Sequence, residues 1–494
     1  MPSRPLSCTT VLHSLLLALL TPFTLAAQSA PPAPTIAPEE YAARRDSLAV
    51  RLGEGVVLAF GAVAPRGEER PHQLPAFRWL TGFLEPDAAL VLIVHGGRAR
   101  GILFTQPRDP RRALYDGFPP DSAAVARATG MGVRSIAALG PTLDSLLGRR
   151  TTLFTLRDYA GNDYAESDSL SRGAAFLRTV SSSHPGLEVR DAHPVTDSLR
   201  ARKSPAELGL LRRAIDVTVA AQREAMATVH PGMWEYQIDA LFDAAFRRTG
   251  GDGPAFGSIV GSGPNSTQYH YASNNRQMQA GDVVVMDVGA GWQGYAADVT
   301  RTIPVSGRYT PDQRAIYQLV RDAQRAAEQV AGPGASYQAW RDAARAVIAR
   351  GVARLGLTEG VDATFDPPWA DQCRVEAVRC TQAFLYMAHG LGHGIGLEVH
   401  DPPHPWKDTG TFAPGDVFTI EPGIYVSTRL LDILPDTPKN RAMIAKVRSA
   451  VARYNDIGVR IEDDYTITAT GVEWLSRAPR EPAEIESAMA RRGH

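Results

Sequence analysis

Five side chains able to bind a divalent cation follow one another in the second half of the chain: Asp287, Asp298, His393, Glu421 and Glu462. Their frames are apolar or glycine-rich: VVVMDVGAG, GYAADVTRTIPV, MAHGLGHGIGLEVHD, FTIEPGIYV and GVRIEDDYTI. Four of these frames read as short strands carrying one acid each. An ionised carboxylate inside a β-rich apolar run is costly unless a cation or hydrogen bonds compensate it, so four together point to bound metal. Four carboxylates and one imidazole form a hard, oxygen-rich donor set. With carboxylates free to bridge, it suits two divalent ions roughly 3.5–4 Å apart, and manganese, cobalt and zinc all accept these ligand types.

The surroundings of each ligand add chemistry. Val283–Val305 reads as a hairpin turning near GAGWQG, with Asp287 and Asp298 on its two arms and Thr300 on the face of Asp298 by the period of two. HGLGHGIGLEVHD supplies His389, His393 and His400, of which His393 is the sharpest ligand and the other two are groups that hydrogen-bond substrate; His404, after a Pro-Pro pair, reads as surface. Pro422 and Gly423 end the strand ahead of Glu421. In RIEDDY, Arg460, Glu462 and Asp464 share one face while Ile461 and Asp463 take the other. Arg460 there would orient a metal-bridging carboxylate by a charge-assisted hydrogen bond.

A chain of 494 residues exceeds what one core usually fills, so two domains are expected. The hydrophobic share of 44% and charged share of 21% are those of a globular protein. A formal charge of −1 gives no electrostatic case for nucleic acid or an anionic membrane as partner. Arg4, the apolar stretch Val11–Leu25 and the small-residue segment at 25–30 have secretory-signal architecture. The stretch is shorter than the ~20 apolar residues that span a bilayer, so the reading is a signal peptide over 1–27, no stable membrane span after its removal, and a periplasmic or extracellular product. Cys8 would leave with that signal; Cys373 and Cys380, an even pair in an oxidising compartment, suggest a disulfide.

A flexible Pro/Ala-rich lead-in at 28–38 precedes an N-terminal domain at 39–195. Its helix around Pro38–Arg51, its buried strands at 56–60, 88–94 and 101–105, helical patterns near 120–130 and 141–148 and the runs at 152–156 and 187–192 follow an alternating α/β order. His193-Pro194 and Ser204-Pro205 punctuate the chain near a domain boundary. A catalytic portion at 199–480 then opens with Ser204 as N-cap, Pro205 at the first helical position and Glu207 in the capping-box position.

Together and in this order, the five frames resemble the pita-bread metallopeptidases, the family of aminopeptidase P, prolidase, methionine aminopeptidase and the metal-free creatinase. The resemblance is strong over 199–470 and weak over 40–195. It implies an α/β (α+β) chain, a creatinase-like mixed-sheet domain followed by a pita-bread catalytic domain, holding two divalent ions with manganese foremost. Asp287 would chelate one ion, Asp298 and Glu462 would bridge both, and His393 and Glu421 would complete the other. Glu421 matches the family's proton shuttle, His270 in QYHYAS a histidine that contacts substrate, and His389 and His400 histidines lining the proline side of the cleft. Family members are commonly homodimers or tetramers.

FRWLTGFLEPDAALVLIV at 77–94 resembles the matching segment of aminopeptidase P. The implied activity is therefore hydrolysis between an N-terminal residue and a following proline. A bond to proline lacks the N–H that ordinary peptidase subsites demand, which calls for a dedicated site. Prolidase action on Xaa-Pro dipeptides is the alternative, with Arg460 or His389 recognising the free carboxylate. A non-catalytic peptide-binding module is the alternative of a different class, against which the complete ligand set argues. Two departures stand out: HQLPAF at 72–77, where aminopeptidase P carries a polar run, and the segment 361–380, with PPW and both cysteines, which reads as a surface loop.

Overall fold

Runs such as VVLAF and AALVLIV leave no polar face, so a sheet built from them must be covered on both sides. The computed structural model describes residues 35–64, 72–118, 120–148, 152–156, 172–402, 406 and 409–490. In it these runs become β1 (Gly55–Phe60) and β2 (Ala89–His95) of a six-stranded mixed sheet. β3 (Arg98–Thr105), β4 (Gly132–Ser135), β5 (Thr152–Thr155) and β6 (Glu188–Asp191) complete it in the order β4-β3-β2-β1-β5-β6. The three central strands are antiparallel, and the outer three are added in parallel. Val57, Leu90, Leu92 and Leu103 enter one buried layer with Leu48, Phe77 and Leu80; Val56, Leu58, Val91 and Ile102 enter the other with Leu143 and Leu147. Residues His193–Arg200 form a helix with Pro194 in its first turn, where a missing N–H costs nothing. The signal segment and His404 lie outside the described residues, and no described helix is long and apolar enough to cross a membrane.

Ser204 caps the helix Pro205–Thr228: its hydroxyl accepts from Glu207 N, and Glu207 Oε2 accepts from Ser204 N at 2.9 Å. This helix, Glu235–Arg248, Pro311–Val330, Tyr337–Arg354 and Pro438–Arg453 pack against two long antiparallel ladders. The first contains β7 (Gly253–Pro254), β8 (Ile259–Ser262), β9 (Val283–Val288), β10 (Ala290–Trp292), β11 (Tyr295–Ala296) and β12 (Val299–Pro304). β9 pairs β12 with Asp287 opposite Thr300, and β10 pairs β11 with Gly291 opposite Ala296. The register carries on unshifted across the gap, so Gly289 stands opposite Asp298. A Cβ on Gly289 would lie 1.7 Å from the Ala297 carbonyl oxygen, so only glycine fits there.

The second ladder pairs β13 (Val417–Ile420) with β16 (Asp463–Ile467), and β14 (Gly423–Val426) with β15 (Ile457–Arg460), with β17 (Val472–Trp474) outside β16. Ile420 stands opposite Asp463 and Gly423 opposite Arg460, again in one register, which places Glu421 opposite Glu462. The reading of four strands with an acid inside each is corrected here. Asp287 alone lies within a strand; Asp298, Glu421 and Glu462 lie in two-residue gaps. The cause is where their N–H groups go. Asp298 N donates to Asp464 Oδ2 (3.3 Å), Glu421 N to the Leu391 carbonyl (2.9 Å) and Glu462 N to the Thr300 carbonyl (3.1 Å), so each leaves its own ladder to stitch a neighbouring segment in place.

The segment 361–380 is tied down rather than loose. Cys373 and Cys380 are joined, with Cα atoms 5.7 Å apart. Glu376 accepts from Arg341 and Arg345 of the helix Tyr337–Arg354, at 2.9 and 2.8 Å. Trp369 donates to the Arg379 carbonyl and meets Phe365 and Phe384 edge to face.

Arg301, fully buried, joins the two ladders behind the acids. It donates to Asp463 Oδ1 (2.7 Å), to the Thr300 and Glu462 carbonyls (2.8 Å each) and to the Pro479 carbonyl (2.8 Å). Truncation leaves Asp463 with its charge buried and one partner fewer. Arg301→Ala is expected to lower unfolding stability by about 3–5 kcal/mol, the range for breaking one side of a buried pair, read as a drop in the urea midpoint.

Candidate metal centre and active site

The unshifted registers bring the acids to one spot. Cross-strand partners share a face, so Asp287, Thr300 and Asp298 point the same way from the first ladder, and Glu421 and Glu462 from the second. The bond from Glu462 N to Thr300 O, with Thr300 Oγ1 donating to Glu462 Oε2 at 2.7 Å, brings the two faces together. Ligand-capable atoms of Asp298, His393 and Glu462 all lie within 4.8 Å of one another. His393 Nε2 is 3.6 Å from Asp298 Oδ2, 3.6 Å from Glu421 Oε1 and 3.8 Å from Glu462 Oε1.

His393 arrives on an irregular strand laid along β13: Thr419 N donates to the His393 carbonyl, and Ile395 N to the Val417 carbonyl. The approach needs glycine, since a Cβ on Gly392 would meet the Thr419 carbonyl oxygen at 2.0 Å. His393 Nδ1 sits 3.0 Å from the Gly394 carbonyl, which fixes the proton on Nδ1 and leaves the Nε2 lone pair facing the acids.

The other sequence-predicted groups ring this cluster. Asp287 Oδ2 accepts from Arg460 Nη2 at 2.5 Å. That corrects the expectation that Arg460 would orient a bridging carboxylate: its partners are Asp287, the Tyr425 hydroxyl (2.8 Å), the Thr300 hydroxyl (3.3 Å) and the Tyr269 carbonyl (3.3 Å). His389 sits with Nε2 2.9 Å from the Tyr425 hydroxyl, Nδ1 2.8 Å from the Gly390 carbonyl and 3.6 Å from Glu421 Oε2. His400 lies beside His393 with ring centroids 4.0 Å apart, and His270 is exposed on the loop that also carries Tyr269.

Whether this donor set fits metal is decided by its oxygens. Asp287 Oδ1, Asp298 Oδ1, Glu462 Oε1 and Asp464 Oδ1 are buried without a hydrogen-bond partner. The three of these that belong to Asp287, Asp298 and Glu462, with the imidazole lone pair, are what divalent cations satisfy.

The model of metallopeptidase family M24 matches residues 209–469, and that of the aminopeptidase P N-terminal domain matches 41–154. The chain belongs to metallopeptidase family M24. Similar M24 proteins include the Xaa-Pro aminopeptidase of Escherichia coli, 32% identical over 92% of this chain and 98% of that protein. The human Xaa-Pro dipeptidase is 33% identical over 91% and 93%. Among solved M24 structures, proline aminopeptidase P II from Yersinia pestis superposes with a TM-score of 0.76 at 29% identity, covering 92% of this chain and all of that one. Zinc-substituted E. coli aminopeptidase P in complex with product gives 0.75 at 30%, covering 93% and 99%. The chain is thus a metallopeptidase of the Xaa-Pro aminopeptidase and prolidase type, with a pita-bread catalytic half.

Burial and mutual repulsion dominate the acid–base properties of the M24 centre. Burial, then the charges of Glu462 and Asp287, hold the Asp298 carboxyl well above the usual range; burial and Glu462 do the same to Glu421. Glu462 is pushed up to about 8 by burial and by Asp287. Burial lowers His393 to about 3, helped by His400, and lowers His389 to about 3, helped by Arg460, so both imidazoles stay neutral. Tyr425 and Tyr269 were not singled out from the sequence. Tyr425 was within reach, since alternation from Glu421 places it on the ligand face; Tyr269 carried no signal beyond its place next to His270.

Asp298→Asn and Glu462→Gln each remove one charge from the two acids whose oxygens cluster with His393 within 4.8 Å. Either variant is expected to lose metal, measured by elemental analysis, and to lose at least 100-fold in activity, with the circular dichroism of the fold kept. A second expectation concerns the chelated protein. Carboxyls whose folded pKa is raised contribute stability in full below the ordinary glutamate value of about 4.3. That contribution is lost as pH rises through about 8. Chelated protein should therefore lose Tm steadily from about pH 5 to pH 8, while manganese-loaded protein should not.

Proposed function

We propose that this chain is an exported dinuclear aminopeptidase that removes an N-terminal residue followed by proline. Asp287, Asp298, His393, Glu421 and Glu462 hold two divalent ions, manganese foremost, with cobalt or zinc able to substitute. The observation that carries the choice over a dipeptidase is the state of the two groups able to bind a dipeptide's free carboxylate. Arg460 is buried with every nitrogen directed at a protein oxygen, and both nitrogens of His389 have partners. Neither is open to a substrate carboxylate. The N-terminal match to the aminopeptidase P domain supports the same choice.

When bound, the ions supply Lewis-acid polarisation of the scissile carbonyl and lower the pKa of water. The chain's own groups do the rest. Glu421, 3.6 Å from His389 Nδ1, takes a proton from the attacking water and passes it to the departing proline nitrogen. Arg460 holds Asp287 in place by a charge-assisted bond. His270 and His400, at the open side, orient the peptide. Export is supported by Arg4, by the apolar segment Val11–Leu25 and by the Cys373–Cys380 bridge, which suits an oxidising compartment.

The test is cleavage of Ala-Pro-Ala, Ala-Pro and Ala-Ala-Ala by manganese-loaded protein. Alanine released from the proline tripeptide far faster than from the other two supports the reading. Preference for Ala-Pro makes the protein a prolidase, and equal rates on Ala-Ala-Ala remove the proline requirement.

A further inference from the structure

Each of the two helices that back the ladders buries one glutamine completely. Gln222 belongs to Pro205–Thr228 and Gln324 to Pro311–Val330, and both are 0% exposed. Burying a primary amide is unfavourable unless it is hydrogen-bonded, so its partners indicate its purpose. Gln222 Nε2 donates to the Met286 carbonyl at 3.0 Å and the Val299 carbonyl at 2.9 Å. Gln324 Nε2 reaches the Ile420 carbonyl at 3.2 Å, the Ile461 carbonyl at 3.4 Å and Asp463 Oδ2 at 3.0 Å. Two carbonyl acceptors at one end of each amide settle which end is nitrogen.

The two sets share one geometry. Met286 and Val299 lie on opposite strands of the first ladder, with Val299 opposite the residue two beyond Met286. Ile420 and Ile461 lie on opposite strands of the second, with Ile461 opposite the residue two beyond Ile420. Each glutamine therefore spans its ladder across the same offset. The held carbonyls belong to the peptide groups that lead into Asp287, Thr300, Glu421 and Glu462. A peptide group is planar, so fixing its oxygen fixes the N–Cα bond of the following residue and the direction in which its side chain leaves. Three of those residues are carboxylates of the centre, and the fourth, Thr300, donates to Glu462 Oε2.

We propose that Gln222 and Gln324 are paired positioning residues of the metal centre. Each clamps one ladder at its break so that the carboxylates converge before any cation arrives. Neither touches the ligand side chains of the centre; both act through the backbone that carries them. The proposal rests on the ligand assignment made under the proposed function.

The test uses the full chain and manganese alone. Gln222→Met and Gln324→Met keep side-chain length and remove the donors; Gln222→Asn and Gln324→Asn keep an amide with shorter reach, for use if a methionine variant does not fold. Met226→Ala and Val320→Ala, fully buried on the same two helices, serve as controls for lost packing. Manganese Kd is measured by equilibrium dialysis, and Tm on the chelated protein. The glutamine variants are expected to raise Kd roughly 10–100-fold, the usual effect of removing an outer support of a metal site. The controls should lower Tm and leave Kd within about 2-fold. Glutamine variants that bind manganese like wild type, or controls that weaken it equally per degree of Tm lost, overturn the proposal. A wild type that binds no manganese, cobalt or zinc overturns the ligand assignment and this proposal with it.

Discussion

Like charges held a few ångströms apart in a buried place repel strongly, and the catalytic half is organised around tolerating that repulsion. Asp287, Asp298, Glu421 and Glu462 converge with Asp464 close behind, and the chain sets cationic and neutral donors against part of this cluster and against Asp463 behind it. Arg460 holds Asp287, Arg301 and Arg480 hold Asp463, and Thr300 donates to Glu462. Asp287 Oδ1, Asp298 Oδ1 and Glu462 Oε1 are left buried without a donor. The centre is thus built as an uncompensated anion within a compensated shell, a condition a divalent cation resolves.

The N-terminal half contributes through contact at the hairpin tip, made from the helix Pro75–Thr81. Arg78 donates to the Gln293 carbonyl there, where Gln293 and Gly294 turn the chain with positive φ. A Cβ on Gly294 would collide with the Arg78 guanidinium, so the glycine serves both the turn and the contact. Arg44 and Glu207 add an ion pair at 3.3 Å between the first helix of the N-terminal half and the first of the catalytic half. The arms that carry Asp287 and Asp298 are held at their outer end by the half of the chain that supplies no ligand.

What could be read from the sequence was what depends on local pattern. The apolar runs of the N-terminal half have no alternation and became strands covered on both faces; Ser204, Pro205 and Glu207 gave a capped helix start. Alternation also sorted Arg460, Glu462 and Asp464 from Asp463, because side-chain direction survives the strand breaks. The breaks themselves were not legible, since their cause is distant: Glu462 N bonds to Thr300 and Asp298 N to Asp464. Gln222 and Gln324 were invisible for a related reason. A glutamine within an amphipathic helix reads as a solvent-facing residue until the acceptors it faces are known.

The unshifted register across both breaks has a consequence for how such a chain can vary. Because side-chain direction alternates with every residue, inserting or deleting one residue between Ile420 and Gly423, or between Arg460 and Asp463, would turn a ligand away from the centre and its neighbour's side chain into it. Segments outside the ladders have no such parity. The stretch 361–380 lengthens the path to the histidine segment and folds onto the helix Tyr337–Arg354 without altering a single rung. Length change is therefore partitioned in this architecture: free in the connections, forbidden at four short stations, and most restricted where the backbone is least regular.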